Sequence, residues 1–495
     1  MPVPLGRNKN VGHCGSTEDG AFLNNQPVRA KTFALPRARF SEQYRLNFAE
    51  TVRLIYNILF LIFFMLSSPY YFWRMWRRGD WRSGFGERFA QYDTKLKQAL
   101  TNRHSLWLHA VSVGEVGICT QLIRALEPRL PNIKLVVSTT TTTGMAELRK
   151  KLPSQVSKIY YPVDRRSYVA RAQAVIKPEA IVLVEAEIWP NFIWRAQQLR
   201  IPLFLVNARL SERSYRGYKR FGFLFRPLFA TFAGVGAQNQ ADAERLRELG
   251  FRPETIRVTG SMKFDAAHAS DKRTLNVPTL LWQAGATVGA PVLVCGSTHD
   301  GEEALIGEMF LRLRQKFPDL FLVLVPRHFE RTKDVVRDLE KCGVKHVLRS
   351  KLNGDLKEKP TPTDAHCLVV NTTGELKFFY EHASLVFVGK SLTAQGGQNP
   401  IEPGALGKAM VFGPNMQNFT DVTNAFLDRD GAVQVADAAA LEAAIEELLS
   451  NPARRDQLGR NAHAVVQENL GAIDRTLDMI LEGMKGSGVY VAPKK

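Results

Sequence analysis

Two glycines, an asparagine and a glutamate are spaced along Phe387–Pro414 (FVGKSLTAQGGQNPIEPGALGKAMVFGP) as a ligand loop requires. An apolar run leads into Gly396-Gly397, then Asn399-Pro400-Ile401-Glu402 opens a short helix, and a second apolar run follows. Gly396 and Gly397 let the backbone approach a ligand closely. Pro400 suits the first turn of a helix, where free N–H groups favour an anion. Glu402 sits one turn in, placed to accept hydrogen bonds from sugar hydroxyls. N–H groups for a phosphate and a carboxylate for a ribose describe a nucleotide-sugar site. An ordinary strand–turn–helix crossover fits the same residues.

Acidic residues follow other apolar runs. In WLHAVSVGEVG (107–117), Glu115 falls on the first turn of a helix. A carboxylate there stabilises the helix N-terminus; beside Gly114 and Gly117 at a strand end, it could also meet a substrate. Glu185 and Glu187 end the run IVLVEAEIWPN. Partial burial and like charge near Glu115 would raise a carboxyl pKa toward the range of a general base. The alternative is an N-cap network for the helix starting at Trp189-Pro190. In GSTHDGEE (296–303), Ser297 and Thr298 precede a helix with Asp300, Glu302 and Glu303 in its first turn. They could hold a phosphate or form a capping box. VPRHFER (325–331) sets Arg327 and His328 at a further strand end, where Arg327 suits a phosphate or carboxylate.

The elements that must position these residues come in two series. Strands are predicted at 106–111, 133–138, 180–184, 202–206 and 233–237, then at 291–295, 320–325, 344–348, 367–371, 384–388 and 409–412, with helices such as 115–129 and 189–200 between them. Near-continuous Val/Leu runs alternating with helices predict an α/β fold of parallel sheets covered on both faces. Two series predict two doubly wound domains, joined near 268–290. Ligands of such sheets bind beyond the C-terminal strand ends, where the motifs lie, so two facing domains would enclose one cleft. No GxGxxG opens a helix after the first strand, and no GxxxxGK[ST] is present. This weakens a nicotinamide or flavin reading and argues against a P-loop NTPase. Asp428-Arg429-Asp430 precedes Gly431 and reads as a turn. Cys14, Cys119, Cys295, Cys342 and Cys367 are scattered without metal or disulfide spacing.

The 495 residues carry a net charge of +18, which fits nucleic acid, an anionic membrane or an anionic substrate. Residues 54–73 (LIYNILFLIFFMLSSPYYFW) hold no charge and can just span a bilayer. Tyr70, Tyr71, Trp73 and Trp76 resemble an interfacial belt. Ser67-Ser68-Pro69 breaks the run, so spanning and monotopic insertion are both open. The basic residues after the segment slightly outnumber those before it, which favours a cytoplasmic body. Residues 1–50 read as a flexible extension and 51–78 as an uncleaved anchor. Arg195, Arg200, Arg209, Arg213, Arg216, Lys219, Arg220 and Arg226 face the single acid Glu212 and are interleaved with Phe221, Phe223, Phe225 and Phe229. A basic, aromatic helix suits anionic lipid. No nucleic-acid motif accompanies it, so nucleic acid is not an expected partner.

The ordered series SVGE, STTTTTG, VEAEIWPN, NARLS, AQN, TGSMKFD, GSTHDGEE, VPRHFER, TTGEL and GGQNPIEP resembles the Kdo (3-deoxy-D-manno-octulosonic acid) transferases of lipopolysaccharide assembly, from about Arg53 to Gln467. The resemblance implies a GT-B fold, with an acceptor-binding domain over 79–278 and a CMP-Kdo-binding domain over 279–495. It implies anchoring to the cytoplasmic face of the inner membrane of a Gram-negative-type bacterium. It implies inverting transfer of Kdo from CMP-Kdo to a lipid A precursor (lipid IVA), with no cofactor and no catalytic metal. Glu115 would be the general base, sharing a proton with Glu185 or Glu187. Donor contacts would come from Ser297, Thr298, Arg327, His328, Glu375, Lys390, Gly396, Gly397, Asn399 and Glu402, with Glu402 on the ribose. Arg209, Ser211, Arg213 and Lys263 would bind the acceptor. The chain departs from the family pattern at Lys390, at Gln398 and at Met145-Ala146-Glu147. A GT-B transferase or epimerase using another nucleotide sugar is the alternative, and a non-catalytic membrane scaffold is a third reading.

Overall fold

A computed structural model of the chain describes residues 37–77, 82, 84–101, 103–185, 187–267, 275–352, 362–485 and 489–493. Most of the expected N-terminal extension, residues 1–36, and residues 268–274 of the expected junction lie outside these.

The apolar N-terminal segment is one helix, Arg37–Arg77. Residues 37–50, expected to be irregular, are therefore helical. The helix also continues through Pro69. Pro69 removes the N–H that would reach the carbonyl of Met65, and the Ser68 hydroxyl donates to that carbonyl instead, at 3.4 Å. The serine repairs the break that the proline was expected to make. Leu54, Ile58, Leu61, Ile62, Met65 and Leu66 are exposed along it.

The first sheet comprises β1 (Ser105–His109), β2 (Lys134–Thr139), β3 (Ser157–Tyr160), β4 (Pro178–Val184), β5 (Leu203–Ala208), β6 (Gly234–Ala237) and β7 (Ile256–Val258), ordered β3-β2-β1-β4-β5-β6-β7. The second comprises β8 (Val292–Thr298), β9 (Phe321–Pro326), β10 (His346–Leu348), β11 (Cys367–Val369), β12 (Leu385–Val388), β13 (Met410–Phe412) and β14 (Val433–Gln434), ordered β10-β11-β9-β8-β12-β13-β14. All pairings within both sheets are parallel, including Trp107 with Val136 and Ile181, and Val294 with Val323 and Val386. The two doubly wound sheets expected from the sequence are thus present. Alternate residues enter opposite cores: Val292 and Val294 join one cluster, Leu293 and Cys295 the other. Each fully buried aliphatic or aromatic side chain here contributes about 1.5–3 kcal/mol.

Three strands had no sequence signal: β3, β7 and β14. All are short outer strands of their sheets, and β7 and β14 hold no buried residue, so none carries a continuous apolar run. The last helix, Ala472–Gly483, crosses back to the first sheet. Leu477, Met479, Ile480 and Leu481 enter the core that holds Leu106, Val137 and Val182. Asp265 receives it, accepting from the N–H groups of Gly471 and Ile473 at 2.7 Å each. Residues 279–495 therefore supply the second sheet but give their last helix to the first.

Strand order reverses direction between β1 and β4 in one sheet and between β8 and β12 in the other. Those are the crevices where such sheets bind ligands. The segments after β5 and β7 meet the segment after β13: Arg209 Nε lies 2.5 Å from Asp421 Oδ2, and Lys263 Nζ, on the helix Met262–Ala267, lies 3.5 Å from the Asn418 carbonyl.

Candidate active site

At the first crevice, β1 ends and the helix Val113–Leu126 begins. Ser112 caps it, accepting from the Glu115 N–H at 3.3 Å. Glu115 reaches back, with Oε1 accepting from the Ser112 N–H at 3.3 Å and Oε2 from the Val111 N–H at 2.9 Å. The capping box is real, and it orients the carboxylate rigidly. Thr139, the last residue of β2, and Thr141, two residues on, donate to the Val111 carbonyl at 3.1 and 2.9 Å. A Cβ on Gly114 would meet only the Ser112 hydroxyl, at 3.8 Å. Space is therefore open at Gly114, the residue before Glu115.

Glu185 and Glu187 stand across that crevice, beyond β4. Burial raises both carboxyl pKa values, and the nearby Glu115 charge raises them further. Lys263, Arg209 and Trp189 oppose the rise, the indole by donating to Glu187 at 2.8 Å. Neither acid caps the helix Pro190–Gln198. Asp164 does so, accepting from the N–H groups of Asn191 and Phe192 at 3.0 and 2.9 Å. Glu185 also adopts φ 61°, a left-handed conformation that costs a non-glycine residue about 1–3 kcal/mol. Asn207, Ser297 and Lys390, all at or just past strand ends, share it.

The raised pKa of Glu185 has a defined consequence for stability. Between its unfolded and folded values the native chain binds more protons than the unfolded chain, so stability is fullest below the unfolded value and declines as pH rises through the folded one. Glu185→Gln removes that decline. In thermal melts the variant should match the parent near pH 4 and melt higher at pH 8; a lower melting temperature at pH 8 would show that the charged form is stabilised by the fold.

The second crevice gathers Glu402, Asn399, Arg327, Lys377 and Tyr380. Glu402 is mostly buried, and burial raises its pKa. Asn399, which donates to it at 3.2 Å, and the charges of Lys377 and Arg327 act in the opposite direction. Arg327 and His328 are exposed. Tyr380, its phenol pKa pushed up by burial and by Glu402, was not anticipated; a Cβ on Gly296 would lie 2.0 Å from its hydroxyl.

Several expected donor contacts are already committed elsewhere. Thr298 is fully buried and its hydroxyl donates to Glu303 at 3.0 Å, so it holds the helix start rather than facing a ligand. Arg331 donates to Glu303 as well, at 2.9 Å. The N–H groups of Gly396 and Gly397 donate to Gln417 Oε1 at 2.7 Å and to the Lys390 carbonyl at 3.1 Å, so they shape the loop instead of cradling an anion. The helix after them, Ile401–Ala405, is only five residues long. Glu375 pairs with Arg349 at 3.0 Å and accepts from Thr372 at 2.6 Å.

Of the expected acceptor contacts, Lys263 and Arg209 lie close enough to act on the charge of Glu185, whereas Ser211 caps the helix Glu212–Arg220, accepting from the Ser214 N–H at 3.1 Å. Arg213 is exposed on that helix. The expected single basic helix divides at Phe221 into Glu212–Arg220 and Gly222–Phe229. Glu248, distant in sequence, pairs with Lys219 at 3.0 Å. Phe221 and Phe223 stay exposed, at 49% and 59%.

A family model described as 3-deoxy-D-manno-octulosonic-acid transferase (kdotransferase) matches residues 83–266. The 3-deoxy-D-manno-octulosonic acid transferase of Bordetella pertussis is 33% identical over 420 residues, covering 82% of this chain and 94% of the relative. The chain belongs to the Kdo transferase family. The Kdo transferase of Haemophilus influenzae is 32% identical over 378 residues, covering 76% of this chain and 86% of the relative. As a Kdo transferase the protein is a glycosyltransferase of Kdo. Its GT-B fold is also that of UDP-GlcNAc 2-epimerase from Neisseria meningitidis, with a TM-score of 0.51 at 13% identity over 76% of this chain and all of that one. That likeness is one of fold alone.

Proposed function

We propose that this Kdo transferase moves Kdo from CMP-Kdo to a lipid A precursor, lipid IVA, with inversion and with Glu115 as the general base. The observation that carries the reading is the meeting of Glu115, Glu185 and Glu187 at the first crevice, with Lys263 and Arg209 beside them. Glu115 removes the proton from an acceptor hydroxyl, whose oxygen attacks the anomeric carbon of Kdo while the bond to the CMP phosphate breaks. Both Glu115 oxygens accept backbone N–H groups, which fixes their direction, and each retains a lone pair for the proton. Glu185 or Glu187, whose pKa is raised, shares the proton as it arrives. Glu402 accepts hydrogen bonds from the ribose, and Arg327 beside it faces the phosphate, where negative charge grows in the transition state.

The acceptor is a phosphorylated lipid, and the chain carries two features that suit its membrane. The helical segment Glu50–Arg77, 28 residues, is about 42 Å long against a hydrocarbon core of about 30 Å, enough to anchor the enzyme in the inner membrane. Phe221 and Phe223, among Arg213, Arg216 and Arg220, form a second surface for anionic headgroups on the cytoplasmic side. In the division of labour that follows, residues 51–78 anchor, 79–278 hold the acceptor and 279–495 hold the donor.

A donor screen tests the reading. With one lipid acceptor, CMP-Kdo should support transfer while UDP- and GDP-sugars do not; transfer from either of the latter would reassign the donor.

A further inference from the structure

We infer that Glu302 is a positioning residue that builds, through Lys390, a cation site for the anionic part of the nucleotide-sugar donor; this rests on the donor reading above. Glu302 is fully buried, in the first turn of the helix Glu302–Lys316. Its Oε2 accepts from the N–H groups of Lys390 at 2.7 Å and His299 at 2.9 Å; its Oε1 accepts from those of Ser391 at 2.9 Å and Leu392 at 3.1 Å. One carboxylate thus ties the loop after β12 to the loop after β8, on the two sides of the crevice. The closeness of the two loops is enforced at Gly389, where a Cβ would lie 2.6 Å from the Ser297 carbonyl oxygen. The Ser391 hydroxyl ties the same loop to its own strand end and to the segment after β13, donating to the Val388 carbonyl at 2.6 Å and accepting from the Gly413 N–H at 2.8 Å.

The clamp leaves Lys390 in the left-handed region, at φ 56°. A lysine gains nothing local from that conformation, and a glycine would adopt it without strain. The constraint aims the side chain: its ammonium lies 3.6 Å from where a Cβ on Gly396 would be, over the glycine loop. Among the described residues no carboxylate pairs with Lys390. Glu302 cannot do so, because its oxygens are taken by the four N–H groups. A half-buried cation without a counter-charge, held at a crevice by a buried clamp, is complementary to an anion. The donor brings two, a phosphate and a sugar carboxylate.

The test is a double-mutant cycle read in donor affinity. Lys390→Met should raise the KM for CMP-Kdo about 10- to 100-fold, the loss of one charge-assisted hydrogen bond, with kcat and melting temperature little changed. Lys390→Gly should do the same while keeping or raising the melting temperature, and Lys390→Arg should restore most of the affinity. Glu302→Gln keeps the shape but turns an NH2 group toward N–H donors, so it should also raise KM. Combined with Lys390→Met it should add nothing, because both act on one contact.

Titration with CMP alone separates the two anions. If Lys390 meets the phosphate, CMP binding weakens in Lys390→Met as KM does; if it meets the carboxylate, CMP binding holds while KM rises. An unchanged KM in Lys390→Met and Lys390→Gly overturns the cation site, even if Glu302→Gln proves too unstable to measure. Additive effects in the double variant overturn the coupling through Lys390. A parent enzyme that binds neither CMP nor CMP-Kdo overturns the donor reading, and this inference with it.

Discussion

Glu115→Gln is expected to lower Kdo transfer by about 10²- to 10⁴-fold, the range for losing a positioned general base, while CMP-Kdo still binds. Glutamine is an accepted partner in a capping box, so the helix Val113–Leu126 should keep its start and the variant should fold. The amide cannot take the acceptor proton. The loss should therefore fall on kcat, with the donor KM nearly unchanged, because the proposed donor contacts lie on the other sheet. Initial rates and calorimetric titration with CMP-Kdo separate the two quantities. Turnover retained within a fewfold would move the base to Glu185 or Glu187.

The second large effect is expected at Glu402, where stability and function should change in opposite directions. Burial raises the pKa of this carboxyl, so holding it charged at neutral pH works against the fold. Glu402→Gln removes that opposition, and Asn399 can still donate to the amide oxygen. The melting temperature at pH 7.5 should hold or rise. The ribose would lose a charged acceptor, and hydrogen bonds to charged groups are worth about 1.5–3 kcal/mol each. Affinity for CMP and for CMP-Kdo should then fall together by about 10- to 100-fold, with little change in saturated turnover. Unchanged CMP affinity would remove Glu402 from the nucleotide site.

Much of this arrangement could be read from the chain because buried parallel strands leave continuous apolar runs. Wherever such a run ended in acids or glycines, as at His109–Glu115, Val184–Glu187 and Phe387–Glu402, the crevice was legible. The outer strands β7 and β14 were not, since they are two or three residues long and none of their residues is buried. Contacts made far along the sequence were also hidden. Glu302 looked like a local helix cap, but three of its four hydrogen bonds go to residues 88–90 positions later. Gly396 and Gly397 looked like open anion donors, but Gln417 and Lys390 occupy their N–H groups. The return of Ala472–Gly483 to the first sheet was invisible for the same reason. An amphipathic helix states that it must bury a face, but not against which core. Asp164, whose carboxylate caps the Pro190 helix from 27 residues upstream, freed Glu185 and Glu187 from the structural role that local sequence allowed them.

The most direct measurement is incubation of membranes carrying the enzyme with CMP-Kdo and a tetraacylated lipid A precursor, with the lipid products weighed by mass spectrometry. The expected result is an acceptor heavier by whole Kdo residues, with one CMP released for each residue added, and none of either with Glu115→Gln. An acceptor of unchanged mass, while CMP-Kdo stays intact or is merely hydrolysed to free Kdo, would contradict transfer between these two substrates.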